Sequence, residues 1–488
     1  MLECSETLQQ HAWFLESRSS INNPKRDWYI WKKPNIDAEG NPQPPNNWSQ
    51  ILGDANSAWT FDDKTKEYYL SLFTPEQPDL NWENEEVREA IFDVMHFWLK
   101  RGVEGFRLDV INVISKHQDF PDAKIADNSQ RFQPGMEFYA NGPRLHEYLK
   151  QMHREVLSKY DAVTVGEMPW VSDEDEILRV VKSDEKELNM IFIFDIIDID
   201  AIPGYPRFSI RDWQVKELRQ IINRWQRIMI ERDGWNSLFI ENHDGPRSVS
   251  RYTDDSDEFR ARGAKLLALM QTTLNGTLFV YQGEEIGMRN VDPSWEPEDF
   301  KDIESVNLWK KYQELYPNDP SKTAECRRAL QKKSRDNSRT PMQWSDAPNA
   351  GFTAPGVKPW MRVNDDYPSI NVEAQNSPGH HEGGLSVLQF WQRGLANRKQ
   401  HKDAFVYGDF RLIAPEHDKV IAYVKTGAES GNWAVVLNFS GDRLEWEVPT
   451  GVEIKAWVAG NYTRDQPDKA LSGKLTLEAW EGILGKCA

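Results

Sequence analysis

Gly105-Phe106-Arg107-Leu108-Asp109, Val163-Thr164-Val165-Gly166-Glu167 and Leu238-Phe239-Ile240-Glu241-Asn242-His243-Asp244 are three apolar runs, each ending in acid. Each is short, β-rich and followed by a helical stretch. A strand buried on both faces of a parallel sheet reads as a continuous apolar run. In a parallel barrel the C-terminal end of such a strand is the face where chemistry is done. One acid there is a weak signal. Three in series point to a carboxylate-driven site.

The surrounding sequence alternates in the same way. Glu85 to Lys100 has helical periodicity, with Val87, Ile91, Val94, Met95 and Trp98 on one face. Strands are expected at Gly105 to Asp109, Ala162 to Glu167, Met190 to Asp195, Ser237 to Asp244 and Thr277 to Gln282. Helices are expected at Gly142 to Lys159, Val215 to Glu231 and Glu258 to Thr273. Alternating β and α predicts a parallel sheet with helical crossovers. Before this region, residues 15 to 75 are rich in Pro, Asn, Trp and Asp and read as a small irregular β-rich excursion. After Gln282 comes a long polar insertion, then a helix at Gly384 to Lys399. From Asp403 short strands such as Val420 to Val424 and Trp433 to Phe439, separated by Gly and Asp turns, predict an antiparallel β-sandwich.

Composition narrows the class. The 488 residues suffice for two or three domains, and 39% hydrophobic with 11% aromatic content suits a globular enzyme. The 20 Trp serve either as core or as sugar-stacking surface, and composition alone favours core. A net charge of −18 argues against nucleic acid and against anionic membranes, but not against a neutral substrate. Cys4, Cys326 and Cys487 are far apart and odd in number, so three unpaired thiols are expected. No signal peptide and no transmembrane stretch is visible, which predicts a cytoplasmic protein. The sequons at Asn47, Asn275, Asn438 and Asn461 are then chance matches.

Paired carboxylates are the equipment for cleaving glycosidic bonds: one attacks the anomeric carbon, the other protonates the leaving oxygen. Arg107 lies two residues before Asp109 and so points to the same side of its strand. A cation there holds Asp109 ionised, as a nucleophile requires. Arg107 and Asp109 alone read equally well as a structural ion pair. Glu167 needs a raised pKa to act as an acid near neutral pH, and Met168, Pro169 and Trp170 supply apolar neighbours. Asp244, beside His243, is placed to grip sugar hydroxyls.

At these residues the sequence resembles glycoside hydrolase family 13, the α-amylase family, in its α-glucosidase and oligo-1,6-glucosidase branch. Gly105 to Asp109, Val165 to Trp170 and Glu241 to Asp244 are similar to the family's three acid-bearing segments. Gln77-Pro78-Asp79-Leu80-Asn81-Trp82, Gln282-Gly283-Glu284-Glu285-Ile286-Gly287-Met288 and Arg339-Thr340-Pro341-Met342-Gln343-Trp344 are similar to signatures of the branch. The resemblance implies an α/β fold built on a (β/α)8 TIM-type barrel, an inserted small β-rich domain and a C-terminal antiparallel β-sandwich. It implies Asp109 as nucleophile, Glu167 as acid/base and Asp244 as transition-state stabiliser. Arg107, His243 and Arg339 are implied contacts to the glucose at the cleavage point. No cofactor and no metal is implied, and the expected partner is a small oligosaccharide bound by a monomer. Val110 follows the nucleophile; in this branch Val there goes with α-1,6 cleavage and Thr or Ala with α-1,4. The lean is to isomaltose-like substrates, with maltose and sucrose open, and a core-packing Val explains the residue as cheaply. Transglycosylases and sucrose isomerases share the triad. The family's transporter-associated subunits carry an anchor and have usually lost the acids, so an enzyme is expected.

The five strand–helix units resemble the fourth to eighth of the family barrel. Ser5 and Glu6 stand where the family has Asn and a sugar-binding His. The expected division is 1–75 for a remnant of the third strand and the inserted domain, 76–402 for the rest of the barrel and 403–488 for the sandwich. Three βα units correspond to roughly 90–100 residues. The expectation is an N-terminally truncated chain, either an α-glucosidase or an inactive remnant.

Overall fold

In the computed structural model, four parallel strands lie side by side in the order Leu2–Glu3, Gly105–Asp109, Val163–Glu167, Met190–Phe192. The structure describes residues 2–52, 56–202, 207–377, 384–468 and 470–488. They fall into two units, Met1–Phe194 with Arg232–Trp235, and Asp195–Glu231 with Asn236–Ala488.

In the first unit the register places Glu3 opposite Asp109 and Leu108 opposite Gly166, so the two acids end adjacent strands on one edge. Leu2–Glu3 pairs in parallel with the Asp109 strand, as expected of a stretch resembling strand three. Gly166 is tightly surrounded by side chains. A Cβ there would lie 2.8 Å from Leu188 and 3.0 Å from Ile111, so the strand lies flush on the turn that follows Asp109. The helix Glu85–Leu99 begins where Asn84 accepts the Glu86 N–H, with Glu85 and Glu86 in its first turn. It buries Val87, Ile91, Met95 and Leu99. Trp98, expected on that face, is 46% exposed at the last turn. The excursion before it forms a three-stranded antiparallel sheet from Trp31–Lys32, Glu67–Leu70 and Trp59–Asp62. Its core of Trp48, Trp59, Leu70 and Leu72 continues into Val110, Val113 and Tyr139.

In the second unit Ser237–Leu238 pairs in parallel with Thr277–Leu278. Both strands are shorter than expected. Asp244 therefore sits in a turn beyond its strand, because the Asn242 side chain accepts the Asp244 N–H at 3.0 Å and diverts the backbone. The helix Val215–Glu231 has the expected bounds. The helix Arg260–Thr273 is buried on all sides from Gly263 onward, as an inner helix must be. The stretch expected as a polar insertion contains two helices, Ile303–Leu315 and Pro320–Lys333, capped by Asp302 and Asp319. Leu308, Trp309 and Tyr312 of the first pack with Cys326 and Leu330 of the second, around Trp295 and Phe300.

The C-terminal part is a five-stranded antiparallel sheet, Asp409–Leu412, Val420–Gly427, Gly431–Asn438, Gly482–Cys487, Ile454–Gly460, beside a two-stranded sheet of Leu444–Val448 and Gly473–Leu477. Ala422 and Val436 face Trp446 and Leu475 of the smaller sheet. Ile421, Tyr423, Val435 and Leu437 point the other way, onto the Arg260–Thr273 helix. With both faces covered, the period-2 alternation disappears from the sequence. No helix among the described residues is long and apolar enough to cross a membrane.

Candidate active site

Arg107 lies between the two acids of the first unit. One guanidinium nitrogen pairs with Asp109 and the other with Glu167. The i, i+2 spacing puts Arg107 and Asp109 on one face of their strand, and the parallel pairing brings Glu167 alongside. A planar fork holds two carboxylates in fixed directions, which a Lys could not do. The three side chains are 17%, 21% and 9% exposed, so the cation acts through little solvent.

The backbone after Asp109 is constrained. Val110 has φ 36° and ψ 43°, a left-handed conformation costly for a β-branched residue. It opens the 3₁₀ turn Ile111–Val113, where buried Asn112 donates to the Pro169 carbonyl at 2.7 Å. The turn after Asp109 is thereby tied to the turn after Glu167. Asn112 gave no signal in the sequence beyond lying close to Asp109.

Glu6 is buried nearby in this unit. The Ser5 hydroxyl donates to it, and the Gln77 amide lies 3.4 Å away. Burial, with Asp79 and Glu3 adding, pushes its carboxyl up to about 7 against the opposing pull of Ser5 and Lys116.

In the second unit Asp244 is ringed by cations. Arg339 donates to its carboxylate at 2.7 Å, Arg335 lies at 3.5 Å and His243 at 3.4 Å, while Arg207 donates to its carbonyl. Burial alone would raise this carboxyl; Arg335, His243, Arg207 and Arg339 outweigh it and hold Asp244 below the usual carboxylate range. Arg339 also pairs with Asp302 at 2.9 Å and donates to the His243 carbonyl at 2.8 Å. Glu304 accepts from Arg207 at 2.8 Å and pairs with Arg335 at 3.0 Å. Arg335 was missed; it immediately precedes the short helix Asp336–Arg339, and its four-residue spacing from Arg339 is the signal that could have found it. Arg207, Asp302 and Glu304 lie in stretches with no motif. Glu241 is not part of this ring. It forms a buried pair with Arg247 at 2.8 Å and accepts the Ser248 N–H at 2.7 Å, fixing the turn that carries Asp244.

Against known proteins, a model of the alpha-amylase catalytic domain matches residues 4–408. The chain belongs to the α-amylase family. Among relatives of this family member, an alpha-glucosidase of Schizosaccharomyces pombe is 43% identical over 99% of the chain and 82% of its own length. An oligo-1,6-glucosidase of Parageobacillus thermoglucosidasius is 42% identical over 99% of the chain and 82% of its own. Among solved structures, trehalose-6-phosphate hydrolase of Bacillus licheniformis superposes on this family member with a TM-score of 0.86 at 38% identity, covering 99% of this chain and 82% of that one. Isomaltulose synthase of Erwinia rhapontici gives 0.88 at 36% identity, covering 99% and 81%. The α/β barrel with a C-terminal β-domain is thus the fold of the family, as its motifs predict.

Proposed function

We propose that the protein is a retaining α-glucosidase that releases terminal α-linked glucose from short oligosaccharides. The observation that carries this reading is the single Arg107 fork gripping Asp109 and Glu167 at the ends of adjacent strands. Two carboxylates served by one guanidinium suit the separation of about 5 Å used in retention, not the ~6.5–9.5 Å that leaves room for a water in inversion. The names of the relatives, alpha-glucosidase and oligo-1,6-glucosidase, support the substrate class.

In this mechanism Asp109 attacks the anomeric carbon as the C–O bond breaks, and Glu167 gives its proton to the departing oxygen. A glucosyl ester on Asp109 results. Glu167, now a carboxylate, takes a proton from water, which attacks the same carbon and frees Asp109. Two inversions return the α-anomer. Arg107 keeps Asp109 anionic between turnovers. Asp244, held ionised by its cations, steadies the positive charge that grows on the sugar ring. His243 and Arg339 orient the ring, and Val110 shapes the side that receives the leaving group. Isomaltose-like linkages are the preferred substrates.

The division into 1–75, 76–402 and 403–488, a monomeric state and a cytosolic location belong to the same proposal. Three cysteines without disulfide partners support the last. The test is stereochemical: proton NMR of isomaltose hydrolysis shows α-glucose as the first product. β-Glucose first would reject retention.

A further inference from the structure

The loop that follows Arg339 carries three exposed apolar side chains, and one of them, Trp360, is tied to the backbone of Arg339. Trp344 is 49% exposed, Val357 54% and Trp360 57%.

Trp360 is also held still. Its indole N–H donates to the Arg339 carbonyl at 3.0 Å. Its ring stands edge-on to Phe352, centroids 4.8 Å apart and planes at 88°. Phe352 in turn packs on Ile286, Met288 and Met342. The loop between is braced: Asn349 and Thr353 both donate to the Val357 carbonyl, at 3.0 and 2.8 Å. A large ring that is more than half exposed yet held by a hydrogen bond and a ring contact loses little entropy when a ligand covers it. Its anchor is the backbone of the residue whose guanidinium grips Asp244.

We propose that Trp360 is a stacking platform for the pyranose ring next to the one held by Asp244 and Arg339, which deepens and rests on the α-glucosidase reading. The apolar C–H face of a sugar lies on the electron-rich face of an indole, and the sugar's hydroxyls stay in water. A neutral ring also suits a chain of net charge −18, which would repel an anionic ligand.

The test compares two substrates that share the glucosyl group. Isomaltose has a second ring; α-glucosyl fluoride has none. In Trp360→Ala, KM for isomaltose should rise about tenfold more than KM for the fluoride. Trp360→Phe, which keeps an aromatic face, should recover most of that difference. Equal changes on both substrates in both variants assign Trp360 to loop structure and overturn the platform. A wild-type protein that turns over neither substrate overturns the α-glucosidase reading, and the platform with it.

Discussion

Lys116 and Asp79 form an ion pair 3.0 Å long in which each side chain is only 1% exposed. Asp79 accepts the Leu72 N–H at 2.8 Å, and Lys116 donates to the Val113 carbonyl at 2.7 Å. The pair therefore fastens the end of the β-rich excursion to the turn that follows Asp109. Removing one partner leaves a buried charge without compensation. Lys116→Met should cost about 3–5 kcal/mol of unfolding free energy, measured by urea denaturation. Lys116→Met with Asp79→Leu should recover much of the loss, because the second change removes the stranded charge.

Arg107 serves two carboxylates at once, so its geometry matters as much as its charge. Arg107→Lys keeps the charge and loses the fork. It should lower kcat by on the order of 10²-fold while KM moves far less, since the contact matters most in the transition state. Steady-state kinetics on p-nitrophenyl α-glucoside decides this. A wild-type kcat in the variant would make the Arg107 pairs merely structural.

Glu6 gives the protein a pH signature. Its proton is held up to about pH 7 in the folded chain but only to about pH 4.3 in the unfolded one. The favourable contribution of the protonated form is complete below about pH 4.3 and is lost as pH rises through 7. Glu6→Gln, which cannot ionise, should therefore be more stable than wild type by about 3 kcal/mol at pH 8, and equal to it near pH 4. Thermal melts across that range read the difference. A gap that stays flat with rising pH would show that Glu6 ionises in the folded state as readily as in the unfolded one.

Val110 is strained in the wild type, and Thr, also β-branched, would carry the same strain. Val110→Thr thus changes polarity with little change in backbone energetics. The ratio of kcat/KM for isomaltose over maltose should fall about tenfold. An unmoved ratio would reduce Val110 to core packing with Val113 and Tyr139.

The strand–helix alternation was legible because buried parallel strands are apolar throughout and crossover helices such as Val215–Glu231 bury one face only. Gly105–Asp109 and Val215–Glu231 have the bounds that periodicity predicts. The helices Ile303–Leu315 and Pro320–Lys333 are harder to read because their stripes, Leu308, Trp309 and Tyr312 in one and Cys326, Ala329 and Leu330 in the other, are short and set among many charged residues; their Asp caps and Pro320 add a signal. In the first unit the pairing of Arg107 with Asp109 follows from i, i+2 spacing, whereas its reach to Glu167 depends on a register no local pattern encodes. In the second unit the same holds for Arg207, Asp302 and Glu304. They meet around Asp244 and Arg339 from distant positions in the chain, and long-range ion pairs leave no spacing to detect.

The central claim is that Asp109 forms the covalent bond to glucose. A 5-fluoro-α-glucosyl fluoride probe slows release of that ester, so peptide mass spectrometry can locate it. The predicted result is a fluoroglucosyl adduct on Asp109, absent from Asp109→Asn, which should also lose at least about 10⁴-fold in kcat. An adduct on another carboxylate, or near-wild-type turnover by Asp109→Asn, would contradict the account.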